Sequence, residues 1–220
     1  MKIHESLARG GVYAITDGPR ADLLAVVSEA LEGGARALQY LDETTDDERR
    51  VAEASAIRQL CQAHDVPFII HEDVALAQVV GASGVHLGSA GADLERARAA
   101  LGPAAIMGVA CRDSIDSARI AVLAGASYIS FGAFFPSPTK PMAPRASLEL
   151  LKRSADLGVP RVAIGGITPD NAGVLLAAGA DYLAAISSVF GSKDVRRATQ
   201  RLSELFCTDH PNSLSLSRQR

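Results

Sequence analysis

Residues 124–140, AGASYISFGAFFPSPTK, decide the fold. Gly125-Ala126 ends a helical stretch, Tyr128-Ile129-Ser130-Phe131 forms a short hydrophobic run of strand composition, and Gly132 passes the chain to a proline-rich polar loop. The chain makes this move from helix end through Gly-Ala to strand four times, over residues 34–39, 81–87, 125–131 and 179–186. The glycines at 34, 81, 125 and 179 are spaced 47, 44 and 54 residues apart. That spacing is about twice one compact strand-helix unit, so each interval predicts a second strand. Residues 67–71, 105–109 and 161–165 supply them, and residues 12–16 open the series, giving eight.

Helical patterns separate the strands, and an eighth covers residues 195–206. Eight alternating units at this length predict an α/β chain folded as a single (β/α)8 TIM barrel. The strands are almost continuously apolar, as parallel strands buried on both faces require. An open doubly wound sheet is the alternative, but ITDGPR after the first strand lacks the glycine fingerprint of that fold. Residues 1–10 read as a polar lead-in, 11–206 as the barrel domain, and 207–220 as a disordered tail rich in serine and charge.

Composition sets the broad class. The 220 residues are 48% hydrophobic and 21% charged, with net charge −3 and pI near 5.9. No general attraction to nucleic acid follows, so any basic site is local. Cys61, Cys111 and Cys207 lack metal or disulfide spacing and read as buried or inert thiols. No run is long enough to span a membrane and the N-terminus lacks a signal-peptide core, which predicts a cytoplasmic protein with no membrane partner.

In such a barrel the chemistry sits just past the C-terminal strand ends. There the sequence offers Asp17 after strand one, then Gln39, Asp42 and Glu43, then His71, Glu72 and Asp73. His86 and Ser89 follow strand four, and Ala110, Cys111 and Arg112 follow strand five. Ser137, Thr139 and Lys140 form a loop suited to an anion: hydroxyls and N–H groups can ring phosphate oxygens, and the ammonium adds a point charge. Gly165-Gly166 after strand seven and Ile186-Ser187-Ser188 after strand eight make a second anion signature at the recurring phosphate site of these barrels. Each has a plain alternative: a solvated loop, a tight turn and a helix cap. His86 reads as a satisfied core or rim histidine, and residues 42–48 as an acidic helix start capped by Thr45 or Asp46.

Taken in order, YAITDG, ALQYLDE, GVHLG, FGAFFPSPTKPMAP, RVAIGGITPDN and LAAISSVF resemble the thiamine phosphate synthase family over essentially residues 11–206. The resemblance implies a magnesium-assisted (Mg2+) transferase that joins a hydroxymethylpyrimidine diphosphate to a thiazole phosphate and releases pyrophosphate. Its partners are phosphorylated heterocycles, and its members often self-associate. By position, Ser137, Thr139, Gly165, Gly166, Ile186 and Ser187 correspond to the thiazole phosphate cradle. Lys140 corresponds to the lysine on the leaving pyrophosphate, and Gln39 to the glutamine near the pyrimidine.

The pyrimidine diphosphate side departs from the family. Leu41 and Glu43 stand where the family has arginine and lysine, His71 and Glu72 where it has Asn-Asp, and Ala110 where it has serine. Arg112 stands where a tautomerising relative has histidine. Glu72 and Asp93 are the candidate metal ligands, the family's second aspartate falling on Gly91. Exchanging two cations for one carboxylate changes the local charge by about three units, equivalent to several powers of ten at roughly 1.5–3 kcal/mol per charge-assisted contact. Three readings follow: a synthase with a rebuilt diphosphate grip, a phosphate-binding protein without coupling activity, or proton transfer on a heterocyclic phosphate by Glu43, His71, Glu72 and Asp73.

Overall fold

The computed structural model describes residues 5–136 and 145–207. Eight strands run parallel: β1 (Gly11–Ile15), β2 (Ala35–Tyr40), β3 (Phe68–His71), β4 (Gly84–Leu87), β5 (Ile106–Arg112), β6 (Tyr128–Phe131), β7 (Arg161–Ile164) and β8 (Tyr182–Ala185). Each pairs with the next, and β8 pairs with β1 to close the barrel. The helices are α1 (Leu23–Glu32), α2 (Asp47–Ala63), α3 (Val74–Val80), α4 (Ala92–Leu101), α5 (Ile115–Leu123), α6 (Glu149–Arg153), α7 (Gly173–Ala177), α8 (Ser187–Phe190) and α9 (Val195–Glu204). The (β/α)8 barrel expected from the sequence is present.

Local chemistry starts the helices. Asp46, Asp73, Ser114 and Asp194 each accept the N–H three residues on, satisfying a donor that the first turn leaves open. The core has two shells. Strand residues such as Val12, Leu38, Ile70 and Val109 pack outward against the helices. A separate inner cluster, including Tyr13, Ile69, Tyr128 and Tyr182, fills the barrel. Ahead of β1, a 3-10 turn over Glu5–Leu7 adds buried Leu7 to that cluster, and the Tyr182 hydroxyl donates to its carbonyl at 3.2 Å.

Gln39, His71 and His86 lie within β2, β3 and β4 rather than past them, and β5 is longer than expected. Ala110, Cys111 and Arg112 belong to β5 itself, because Ala110 and Arg112 pair with Ser130 and Phe131 across a register shift. Cys61 and Cys111 are buried, and burial pushes both thiols up to about 12, so they are inert as expected. Cys207 is exposed rather than buried. Among the described residues no helix is long and apolar enough to cross a membrane.

Tyr128 lies across the barrel only because β5 has Gly108 beneath it: a Cβ there would stand 2.0 Å from Cζ and 2.2 Å from the hydroxyl oxygen. Gly108→Ala must displace a fully buried ring, so it is expected to destabilise the fold by about 3 kcal/mol, the upper part of the usual overpacking range. A denaturant midpoint, with the slope unchanged, checks this.

Candidate active site

On the β7–β8 side, Gly165, Gly166, Ile186 and Ser187 help line a small pocket of about 30 Å³. Gly166 has φ of 62°, and a Cβ would lie 2.2 Å from the Pro136 carbonyl oxygen, so only glycine lets the loop leaving β6 settle against the turn after β7. Asn171 pins that turn: its Nδ2 donates to the Gly166 carbonyl and its Oδ1 accepts the Thr168 N–H, both at 2.9 Å. The sequence reading gave Asn171 no role, although an asparagine shortly after a double glycine is a turn-stabilising signal. Ser187 opens α8 as expected. Ser137, Thr139 and Lys140 lie outside the described residues. Asp17 is held by Arg20 at 3.1 Å, and Arg20 also donates to the Phe190 carbonyl at 2.7 Å, tying the loop after β1 to α8.

On the β2–β3 side, Gln39 is buried and turned into the barrel. The Tyr13 hydroxyl donates to its Oε1 at 2.9 Å, and its Nε2 lies 3.1 Å from His71 Nδ1. His71 and Glu72 diverge as adjacent residues at a strand end should. His71 joins Gln39, while exposed Glu72, at φ of 55°, sends its carboxylate over Gly88; a Cβ on Gly88 would meet Glu72 Oε1 at 2.5 Å. His86 is the satisfied core histidine the sequence suggested, its Nδ1 2.9 Å from the Tyr128 hydroxyl. Burial, and then neighbouring His71, lowers it to about 3.

The acidic run after β2 is structural. Asp46 is the helix cap. The Asp42 carboxylate, with no side-chain exposure, accepts the Thr44 N–H at 2.9 Å and the Tyr40 hydroxyl at 3.1 Å, and pairs with Arg49 at 2.7 Å. Arg49 also pairs with Glu53 at 2.8 Å, so it is committed to this loop. Leu41 is half-buried against the inner cluster and Glu43 is exposed. Asp73, one of the proposed proton-transfer groups, caps α3 and pairs with Arg50 at 2.7 Å, which fixes it as structural.

A larger cleft of about 790 Å³ opens over β3–β5 and runs between α3 and α4. Glu72, Asp93, Arg96 and Arg112 line it, so both candidate metal ligands share one cavity. Asp93 pairs with Arg96. Among the described residues Arg112 has no ion-pair partner; it is exposed, at φ of 53°. Ala110 is half-buried, on the same strand face as Gly108. Gly91 starts α4 without a side chain to offer. Among the described residues no three His, Cys, Asp or Glu side chains converge as a metal site. Two carboxylates suit magnesium, which keeps several waters and takes further oxygens from a phosphate substrate.

The family model described as thiamine monophosphate synthase matches residues 12–189. The chain belongs to that family. Its similarity to the thiamine-phosphate synthase of Thiobacillus denitrificans is 49% identity over 203 residues, covering 91% of this chain and 96% of the relative. The Xanthomonas campestris thiamine-phosphate synthase is 50% identical over 192 residues, covering 86% and 92%. Among solved structures, thiamine phosphate pyrophosphorylase from Pyrococcus furiosus superposes with a TM-score of 0.81 at 34% identity, covering 91% of this chain and 96% of that one.

Within this thiamine monophosphate synthase family barrel, Asp42 carries a pH signature. Burial raises its carboxyl, but hydrogen bonds from Thr44, Arg49 and Tyr40 outweigh burial and hold it at about 2. The native state therefore favours the ionised form. The resulting stability is complete above about pH 4 and is lost as pH falls through about 2. Thermal unfolding across that window should show the loss, and Asp42→Asn should both lower stability at neutral pH by about 1–3 kcal/mol and flatten the acid limb.

Proposed function

We propose that this barrel, over residues 11–206, is a cytoplasmic transferase that joins a hydroxymethylpyrimidine diphosphate to a thiazole phosphate in thiamine biosynthesis. The observation that carries the reading is the pairing of two cavities beyond the strand ends: the glycine and serine pocket of β7–β8, and the cleft holding Glu72, Asp93 and Arg112 over β3–β5. Two phosphorylated substrates need two such sites. Gly165, Gly166, Ile186 and Ser187, with Ser137 and Thr139, cradle the thiazole phosphate. Gln39 orients the pyrimidine.

The bond from the pyrimidine methylene carbon to the diphosphate oxygen breaks, and the thiazole nitrogen attacks that carbon. The protein contributes placement and charge. Lys140 and Arg112 neutralise the departing diphosphate. Glu72 and Asp93 would hold magnesium, which when bound supplies positive charge to the leaving group. Arg112 takes the part that Leu41 and Glu43 cannot, because Arg49 and Arg50 are committed to Asp42, Glu53 and Asp73. Association of two or more copies accompanies this reading.

The commitment of Arg49 and Arg50 also favours a second reading, a protein that retains the thiazole phosphate cradle without coupling. A coupling assay with both substrates and magnesium, reading thiamine phosphate as its fluorescent oxidation product, separates the two. Turnover is expected, with Arg112→Ala and Lys140→Ala each lowering it roughly ten- to a hundredfold, the equivalent of one charge-assisted contact. Absence of turnover in protein that still binds the thiazole phosphate by calorimetry overturns the transferase in favour of the second reading.

A further inference from the structure

The barrel interior contains a run of hydrogen bonds that crosses it from β6 to β3. Ser130 Oγ lies 3.5 Å from His86 Nε2, His86 Nδ1 lies 2.9 Å from the Tyr128 hydroxyl, and the Tyr128 and Tyr13 hydroxyls are 2.6 Å apart. Tyr13 then reaches Gln39 Oε1 at 2.9 Å, and Gln39 Nε2 reaches His71 Nδ1 at 3.1 Å. Tyr13, Gln39, Tyr128, Ser130 and His86 are all buried, at 2%, 2%, 1%, 6% and 9% exposure, so water cannot readily replace a missing partner. The rings hold one another as well: Tyr13 meets Tyr128 edge to face at 5.8 Å, and His86 stacks on Tyr128 at 5.5 Å.

Counting protons gives this chain a direction. The Tyr13 hydroxyl has one hydrogen, and it goes to Gln39 Oε1. The 2.6 Å contact therefore requires Tyr128 to donate to Tyr13. With the Tyr128 hydrogen used, His86 must donate from Nδ1, and as a neutral ring it leaves Nε2 bare toward Ser130. His86 is buried between two uncharged partners, Tyr128 and Ser130, an environment that favours the neutral ring. At the other end the Gln39 amide donates, so His71 Nδ1 is bare and its proton sits on Nε2.

We propose that Ser130, His86, Tyr128 and Tyr13 form a one-way hydrogen-bond chain that fixes which end of the Gln39 carboxamide faces β1 and which faces β3. These four are positioning residues acting through Gln39. The fixed carboxamide presents a set donor and acceptor edge to a ligand at the barrel mouth, which suits a heteroaromatic ring with a donor beside an acceptor, such as an aminopyrimidine. This last step rests on the reading of Gln39 as the pyrimidine contact.

The two histidines carry the test, because the chain gives them opposite tautomers. In the full-length protein labelled with 15N-histidine, two-bond proton–nitrogen correlations at neutral pH are expected to show His86 protonated on Nδ1 and His71 bare on Nδ1. Tyr13→Phe removes one oxygen and little volume. It strands the Tyr128 proton, which then goes to His86 Nδ1, so His86 is expected to change to the Nε2–H form. A residue serving only to pack would leave that tautomer alone. Calorimetry should show Tyr13→Phe weakening the pyrimidine diphosphate roughly fivefold, the effect of one neutral hydrogen bond, while leaving the thiazole phosphate unchanged. His86 found as Nε2–H or charged in the wild-type protein, or unaltered in Tyr13→Phe, overturns the chain. If the tautomers behave as stated but the wild-type protein does not bind the pyrimidine diphosphate, the chain stands and Gln39 as a pyrimidine contact falls.

Discussion

β8 pairs with β1 from Gly11 and Tyr182 through Ala14 and Ala185, and this closure is what everything at the mouth depends on. It places residues far apart in the chain around one narrow interior. An eight-stranded barrel leaves room for side chains only. Here three tyrosines, 13, 128 and 182, take much of that room, and an aromatic hydroxyl in a dry interior must have a partner. Filling the barrel with tyrosine thus brings in Gln39 and His86 as partners. The polar interior and the packing are one arrangement.

Strain and restraint are divided between the two sides of the mouth. Of the three described non-glycine residues with positive φ, two are Glu72 and Arg112, at the ends of β3 and β5 and lining the same cleft. A left-handed backbone disfavours such residues by about 1–3 kcal/mol each, so the surrounding strands must hold them there. The opposite side uses glycine where the chain turns sharply and Asn171 to hold the turn. One side is built to present charged side chains, the other to present backbone.

Much of this was legible in the sequence. Strands buried on both faces give apolar runs that stand out against helical periodicity, and the repeated Gly-Ala step marks where helices end. All eight strands lie where those signals put them. The glycine and serine pocket was legible for the same reason, since its residues are contiguous at two strand ends. The length of β5 was not, because its extension depends on a register shift against β6. Nor was the role of Asp42, which within an acidic run looks like its solvated neighbours until Tyr40 and Arg49 are seen to enclose it. The chain through Tyr13 and Tyr128 was hidden because a lone tyrosine in an apolar strand reads as core. The signal available was polar residues at inward-facing positions of several strands.

The clamp formed by Arg49 has an effect at longer range. Residues 42–50 hold five carboxylates and two arginines, and both arginines are folded into ion pairs. The β2 flank of the entrance is therefore a source of negative potential, while exposed Arg112 ends β5 and lines the cleft over β3–β5. A molecule with a charged diphosphate at one end and a neutral ring at the other experiences a torque in that field within about 8–10 Å of the surface. Such a field turns the anionic end away from the β2 flank and toward Arg112.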